Sequence, residues 1–457
     1  MAGTKTFIND LTEGSVAKKL LYFAFPFMLS NLLQTVYNLV DMSVVGHYMG
    51  SAGLSAVSVG GRLVELLTFL CTGFCTGGQI LLSQQVGARQ KEGIQKTIGT
   101  LFTFTLLCAV VLGGLSIVFH RGLLTVLNTP AAAFEQAAAY MVICNSGCIF
   151  IFGYNALCAI LRGLGDSKRP LMFVAIASVV NLVLDLIFVA GLHLGAAGAA
   201  IATVISQAIS FISALAYLIV RREAFGFTFS RKTLKMDGEI LKTLTKLGVP
   251  LAFQTAAISV SMLFVNSFIN AYGEAASAVY GAGTKLQGIP SIITQGMSMA
   301  NASMVGQNMA AGKPERVRMS VRTCFILNTC VYGVFITACL AIPTVIFSLF
   351  TTEADVMALA PTYLRISCIG FAASIFNSSF NSVINGIGFT SLSMAIGLLD
   401  GVVARICFSL LFGIVLKMGL NGFFLGHSLA IWITALLSFV YYVSGRWEHR
   451  KLVVERD

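Results

Sequence analysis

Long runs of apolar residues recur along the whole chain, and short polar segments separate them. An α-helix needs about 20 apolar residues to cross the hydrocarbon core of a bilayer. Twelve runs reach or approach that length: Leu20–Val40, Leu66–Gln85, Ile98–Phe119, Gln136–Leu161, Leu171–Ala190, Ala196–Val220, Leu247–Tyr272, Leu286–Ala311, Thr323–Thr352, Ile366–Ile384, Thr390–Leu416 and Gly419–Ser444. The pattern predicts an all-α integral membrane protein with twelve transmembrane helices.

Composition agrees with this prediction. Of the 457 residues, 56% are hydrophobic and 11% charged, whereas soluble domains carry about 25% charged residues. The net charge of +11 would suit nucleic acid, but the basic residues gather at alternate junctions between runs, as at Lys18–Lys19, Arg89–Lys96 and Arg221–Lys246. By the positive-inside rule these junctions are cytoplasmic. We therefore expect a multi-pass protein of the bacterial cytoplasmic membrane, with both termini in the cytoplasm and no nucleic-acid partner.

The chain is duplicated. Residues of the first half recur about 223 positions later, and the pairs include Pro26 and Pro250, Gly87 and Gly306, Tyr140 and Tyr363, and Gly163 and Gly386. Six helices per half place both halves in the same orientation, as in transporters built from parallel repeats. The predicted parts are a cytoplasmic tail at residues 1–19, a first six-helix lobe at 20–222 and a cytoplasmic linker at 223–246. A second six-helix lobe follows at 247–445, and a second cytoplasmic tail at 446–457.

Several segments together carry a family resemblance: Pro26, Asn31–Asp41, Leu54–Gly60, Gln85–Ala88 and Leu161–Asp166. Their order and spacing, with the duplication, resemble the multidrug and toxic compound extrusion family over nearly the full chain. The resemblance implies two six-helix bundles around a V-shaped cavity. It also implies antiport of organic, often cationic, compounds against Na⁺ or H⁺.

Polar residues stand at helical spacing inside two of the apolar runs. In the first helix, four of them lie at i, i+3, i+4 and i+7 and share one face: Gln34, Tyr37, Asn38 and Asp41. In the fifth helix, Asn181 and Asp185 are one turn apart. An ionisable residue in a span is a functional hypothesis, because removing its charge from water is costly. At a rise of about 1.5 Å per residue, Asp41, Asp185 and Thr203 all fall in the outer half of the membrane, where they could meet.

The resemblance assigns roles to these positions. Asp41, Asn181, Asp185 and Thr203 match the cation site of the amino-terminal lobe in the subgroup that resembles DNA-damage-inducible protein F. Gln34, Tyr37 and Asn155 match polar positions of the adjoining cavity. The oxygen ligands suit Na⁺, and two close carboxylates could hold H⁺ instead, so the coupling ion stays open. A purely structural network of these acids is the alternative interpretation.

Other charged residues are less specific. Arg62 recurs as Lys285 across the repeat and lies three residues before Glu65. Arg62 and Glu65, together with Asn38, are candidates for the substrate cavity. The alternative is that Arg62 and Glu65 form a structural ion pair. Asp400 and Arg405 suggest an internal ion pair in the eleventh helix, or a brace to a neighbouring helix.

The second half lacks an acid equivalent to Asp41, because its matching positions near Phe264 and Val265 are apolar. Coupling is therefore predicted in the first half. Pro26 removes a backbone donor from the helix that carries Asp41, so we predict a hinge there.

The leading hypothesis is a secondary active exporter of small molecules that works by alternating access, without a cofactor and as a monomer. A flippase of lipid-linked precursors, or an exporter of an endogenous metabolite, is the alternative. The eleven cysteines form no CxxC motif and have no His at ligand spacing, so no metal is predicted beyond Na⁺ at the four cation-site residues. Known enzyme motifs such as HExxH and GxSxG are also absent, which argues against an enzyme.

Overall fold

The structure is a computed structural model that describes residues 10–127, 129–221, 230, 233–351 and 353–455. Those residues form twelve helical spans: α1 Val16–Gly50, α2 Ser55–Gly87, α3 Lys91–Val118, α4 Ala131–Ser146 with Cys148–Gly163, α5 Lys168–Gly191, α6 Gly195–Val220, α7 Gly238–Asn270, α8 Glu274–Ala310, α9 Pro314–Ala341, α10 Ala354–Gly386, α11 Thr390–Val415 and α12 Leu420–Val443. Three short helices accompany them, at His120–Val126, Pro343–Ser348 and Val453–Glu455. No strand occurs in the described residues.

Most of these helices have the length and apolarity that a bilayer requires. Ten of them could cross a membrane on those grounds, and α4 makes an eleventh if its two halves, bent by 49°, form one span. The remaining helix, α8, is 37 residues long but more polar, and it buries Asn301, Gln307 and Asn308. The predicted fold class is confirmed.

Glycine and proline mark the breaks between helices. Between α1 and α2 the helical backbone is interrupted at Gly50, with φ 67° and ψ −162°, a conformation that glycine adopts without steric cost. The ninth predicted run, Thr323–Thr352, is not one helix. It ends at Ala341, and Pro343 starts a separate short helix, because proline cannot donate the backbone hydrogen bond that would continue α9.

The chain divides into two compact units. The first comprises the described residues of Leu29–Ala252, with Asp10, and the second those of Leu11–Met28 and Phe253–Asp457. The boundaries differ from those of the predicted lobes at the start of α1 and at the start of α7. Side-chain packing determines the boundaries of the two units, whereas the sequence repeat determined the boundaries of the predicted lobes.

In the second unit, the beginning of α1 is part of the core. Leu20 and Phe23 are buried in one cluster with Met304 of α8 and Cys324 of α9. Just before α1, the backbone nitrogen of Leu11 donates to Gln307 at 2.9 Å. Leu11 lies in the predicted tail, residues 1–19, of which residues 1–9 lie outside the described residues. Residues 11–19 are therefore an ordered part of the second unit.

The carboxy-terminal segment is also packed on the second unit. Trp447 and Leu452 are both 1% exposed and share a cluster with Val305 and Val317. The Arg318 guanidinium donates to both carboxylate oxygens of Glu448, at 2.8 and 2.9 Å. Of the predicted tail 446–457, only residues 456–457 lie outside the described residues, and the rest caps this unit.

The first unit holds the described part of the predicted linker 223–246, of which 223–229 and 231–232 lie outside the described residues. The Thr103 hydroxyl donates to the carbonyl of Leu234 at 2.8 Å, and Thr100 accepts from the backbone nitrogen of Asp237 at 3.0 Å. The linker is thus fastened to α3, and α7 begins within it, at Gly238.

Candidate functional site

Two buried acids face each other inside the first unit. Asp41 belongs to α1 and is 9% exposed, and Asp185 belongs to α5 and is 1% exposed. Their carboxyl groups lie close enough for each to act on the other. One oxygen of each, Oδ1, is buried without a hydrogen-bond partner among the described residues. Two carboxyl groups with spare oxygens in an apolar interior can hold a proton or a cation between them.

Asn181 and Thr203 complete this group. With the Asn181 amide nitrogen turned toward Asp185, it donates to Oδ2 at 2.6 Å, and the amide oxygen accepts from the backbone nitrogen of Thr203 at 3.2 Å. The structure therefore brings together all four residues predicted to form the cation site. Asp41 is connected to Asn181 and Thr203 by way of Asp185. Within the described residues, no set of three or more His, Cys, Asp or Glu is placed to hold a metal ion.

Aromatic and thiol groups enclose the acids from neighbouring helices. The hydroxyl of Tyr37, one turn before Asp41 in α1, lies 3.4 Å from the Thr203 hydroxyl of α6. Tyr140 and Cys144 of α4 are within electrostatic range of Asp41. The acids are therefore surrounded by α1, α4, α5 and α6.

The backbone of α5 changes at the site. Regular α-helix ends at Asp185, and Leu186–Gly191 follows as a π-helix. The wider turn is visible in the bond from the backbone nitrogen of Leu192 to the carbonyl of Ile187, at 2.8 Å. Short π segments occur often at functional sites, since they shift side chains out of α-helical register.

A partly open cleft of about 310 Å³ lies in the same unit. It is lined by aromatic rings, hydroxyls, amides and small apolar side chains: Gln34, Tyr37, Tyr154, Val174, Ala177, Ser178, Ser206, Gln207 and Ser210. None of the described residues that line it is charged. Two of the predicted cavity residues, Gln34 and Tyr37, are therefore at this cleft. Tyr37 also contacts Thr203, so the cleft and the acids share a residue.

Other predicted cavity residues lie elsewhere. Asn38 is exposed, and the Asn155 amide donates to the carbonyl of Ile151 in its own helix at 2.8 Å. Arg62 and Glu65 are exposed, and the described residues contain no ion pair between them. Their interpretation as a structural pair therefore finds no support.

Five polar residues of the cleft were not predicted from the sequence: Tyr154, Ser178, Ser206, Gln207 and Ser210. Helical spacing could have found most of them. Ser178 precedes Asn181 and Asp185 by three and seven positions, and Ser206, Gln207 and Ser210 follow Thr203 by three, four and seven. Residues at these spacings share a helix face. Weakly polar serines in apolar runs did not stand out as the acids did.

Comparison with known proteins finds one family model in both halves of the chain. A family model named MatE matches residues 26–187 and again residues 250–411. The two matches are offset by 224 residues, which confirms the duplication.

Two relatives from Bacillus subtilis (strain 168) align along nearly the whole chain. The "Probable multidrug resistance protein YpnP" is 29% identical over 447 residues, covering 98% of this chain and 99% of the relative. The "Probable multidrug resistance protein YoeA" is 31% identical over 440 residues, covering 94% of each.

Solved structures show the same fold. One, described as "Crystal structure of MATE in the bent conformation", has a TM-score of 0.90 at 22% identity and covers 98% of both chains. Another, described as "Outward-facing conformation of a multidrug resistance MATE family transporter of the MOP superfamily", has a TM-score of 0.89 at 22% identity and covers 99% of both.

Proposed function

Since the chain belongs to the MatE family of membrane transporters, we propose that it exports small organic molecules in exchange for Na⁺ or H⁺, with Asp41 and Asp185 as the coupling acids. The observation that carries the proposal is the contact between these two buried carboxyl groups. The names of its relatives, multidrug resistance proteins, support export of organic compounds.

Electrostatics explains why this pair would bind an ion. Two carboxylates in contact in a low-dielectric interior cannot both keep their charge unless a cation or a proton lies between them. The Asn181 amide nitrogen donates to Asp185, and Thr203 adds a hydroxyl oxygen, which suits a hard monovalent cation because such cations prefer oxygen ligands. Entry of the ion would remove one unit of negative charge from the pair and favour the conformation that binds the ion best, by the difference in affinity between conformations.

Two contacts connect the acids to the cleft. Tyr37 lines the cleft and approaches the Thr203 hydroxyl at 3.4 Å. Ser206 also lines the cleft and donates to the Thr203 carbonyl at 2.8 Å. A change at Thr203 on ion binding would move both cleft residues, which is the physical basis we propose for exchange.

The lining of the cleft favours aromatic organic substrates. Tyr37 and Tyr154 offer ring faces, which attract other rings and organic cations. Among the described residues no basic side chain lines the cleft, so this site lends no support to a flippase of pyrophosphate-linked lipids.

Pro26 is the proposed hinge. It lies inside α1, two residues before the boundary at which α1 passes from the second unit into the first. A helix without the hydrogen bond of that residue bends more easily. Structures in the family have been described in bent and in straight conformations.

The proposal can be tested with purified protein in liposomes. Uptake of a fluorescent organic cation is measured under an imposed Na⁺ gradient and, separately, under a pH gradient. Asp41→Asn and Asp185→Asn should each abolish gradient-driven transport while the protein still elutes as a folded species. Glu135→Gln is the matched control, because that exposed acid pairs with exposed Arg121 at 3.0 Å. Transport by either aspartate variant at the wild-type rate, with unchanged ion dependence, would disprove the assignment.

A further inference from the structure

The second unit contains a buried ion pair that the proposed transport cycle does not use. In α11, the Arg405 guanidinium donates through Nη2 to Asp400 Oδ1 at 3.1 Å. Arg405 is 3% exposed and Asp400 5%. This confirms the internal ion pair expected from the sequence. Burial of two charges is costly unless their remaining donors and acceptors are satisfied.

The acid is satisfied and the base is not. The second oxygen of Asp400, Oδ2, accepts from the Thr434 hydroxyl of α12 at 3.0 Å. By contrast, Nε and Nη1 of Arg405 are buried and make no hydrogen bond within the described residues. Arginine is always charged in proteins and offers only donors. The cluster therefore lacks acceptors on one side of the guanidinium.

Neighbouring groups do not supply the missing acceptors. Ser409, one turn after Arg405 on the same buried face, also has a buried hydroxyl without a partner among the described residues. In the adjacent helix α12, the Nδ1 atom of His427 is occupied by the Tyr280 hydroxyl at 3.4 Å. Unpaired buried donors of this kind are rare in folded proteins.

The local backbone resembles that of the first unit's acidic site. Leu399–Ala404, which contains Asp400 and ends immediately before Arg405, is a π-helix. Helix α12 approaches α11 closely here, since a Cβ on Gly426 would overlap the backbone nitrogen of Ser409. A π segment beside a buried charge is typical of a functional site.

We propose that this cluster is an anion-binding site, in which Arg405 Nε and Nη1, with Ser409, hold a compact monovalent anion. The chemistry is that of a halide or of a single carboxylate group, since the open groups are Nε and Nη1 of one guanidinium and one hydroxyl. Guanidinium donors suit both. Because Asp400 offsets much of the charge of Arg405, we expect weak, millimolar binding. The site belongs to the second unit and does not depend on the proposed exchange.

The test measures binding and not transport, so its outcome is independent of the export assay. The unfolding temperature of the purified full-length protein is recorded while sodium methanesulfonate is replaced stepwise by sodium chloride or by sodium acetate. The Na⁺ concentration and the ionic strength stay constant. At ten times the dissociation constant, a bound anion should raise the unfolding temperature by about 1–2 °C.

Three variants make the result specific. The double variant Asp400→Asn/Arg405→Gln removes both charges together, so no single charge is left buried, and it should lose the anion effect. Arg405→Lys keeps the charge but not the Nε and Nη1 donors, and it should weaken the effect several-fold. The matched control is Asp166→Asn/Arg169→Gln, which removes an ion pair with the same 3.1 Å distance in the first unit and should leave the effect intact.

The two salts separate the possible sources of the anion. An effect of chloride alone identifies a free halide, and an effect of acetate identifies the carboxylate group of an organic ligand. The proposal fails if neither salt stabilises the wild type beyond methanesulfonate. It also fails if the charge-free double variant responds as the wild type does.

Discussion

Tyr37→Phe isolates the contact between the cleft and the coupling acids. The change removes one hydroxyl, which lies 3.4 Å from the Thr203 hydroxyl, and leaves the aromatic ring that lines the cleft. A net hydrogen bond between neutral groups contributes about 0.5–1.5 kcal/mol, and this long one belongs at the lower end. Since 1.4 kcal/mol corresponds to about a factor of ten, a loss of about 0.5–1 kcal/mol weakens ion binding roughly two- to fivefold.

The assay is transport in liposomes as a function of the concentration of the coupling ion. For Tyr37→Phe, the ion concentration that gives half-maximal transport should rise roughly two- to fivefold, with the substrate concentration for half-maximal rate unchanged. Tyr154→Phe is the matched control, because that tyrosine also lines the cleft but donates to the carbonyl of Pro170 at 3.2 Å. It should leave the ion dependence as it is. Equal shifts in both variants, or none in Tyr37→Phe, would refute the proposed connection through Thr203.

Two further predictions concern the helices themselves. Gly248→Ala should destabilise the protein by about 1–3 kcal/mol through overpacking, because the new Cβ would lie 2.8 Å from the Cα of Phe74 in α2. The control Gly333→Ala, which has nothing within 4 Å of its Cβ, should be neutral or slightly stabilising. Equal unfolding temperatures for the two variants would contradict this packing argument. Pro26→Ala should slow transport much more than Pro250→Ala at equal expression, because only Pro26 shares its helix with a coupling acid. Equal losses in the transport assay would remove the proposed difference between the two prolines.

Local features of the sequence determined the fold class and the candidate acids. Twelve apolar runs are enough to predict twelve spans, because the thickness of a bilayer sets the length that each helix must have. The duplication followed from residues repeated at a fixed offset. The pairs Tyr37–Asp41 and Asn181–Asp185 were visible because helical spacing places residues one turn apart on a common face.

Contacts between distant segments were decided only by the tertiary structure. The packing of residues 11–28 with α8 and α9 places the start of α1 in the second unit, although the repeat assigned it to the first. Arg62 and Glu65 have suitable spacing for an ion pair, yet both are exposed and no pair forms between them in the described residues. Spacing allows a contact, but side-chain direction and competing solvent decide whether it forms.

The cluster around Arg405 shows the same limit. The sequence indicated the pair with Asp400, because both residues lie in one helix. It gave no sign that Thr434 would satisfy the acid while two nitrogens of the base stay unpaired. That imbalance arises from the way in which α11 and α12 pack, since the hydrogen bonds of a buried charge depend on which groups the neighbouring helix brings to it.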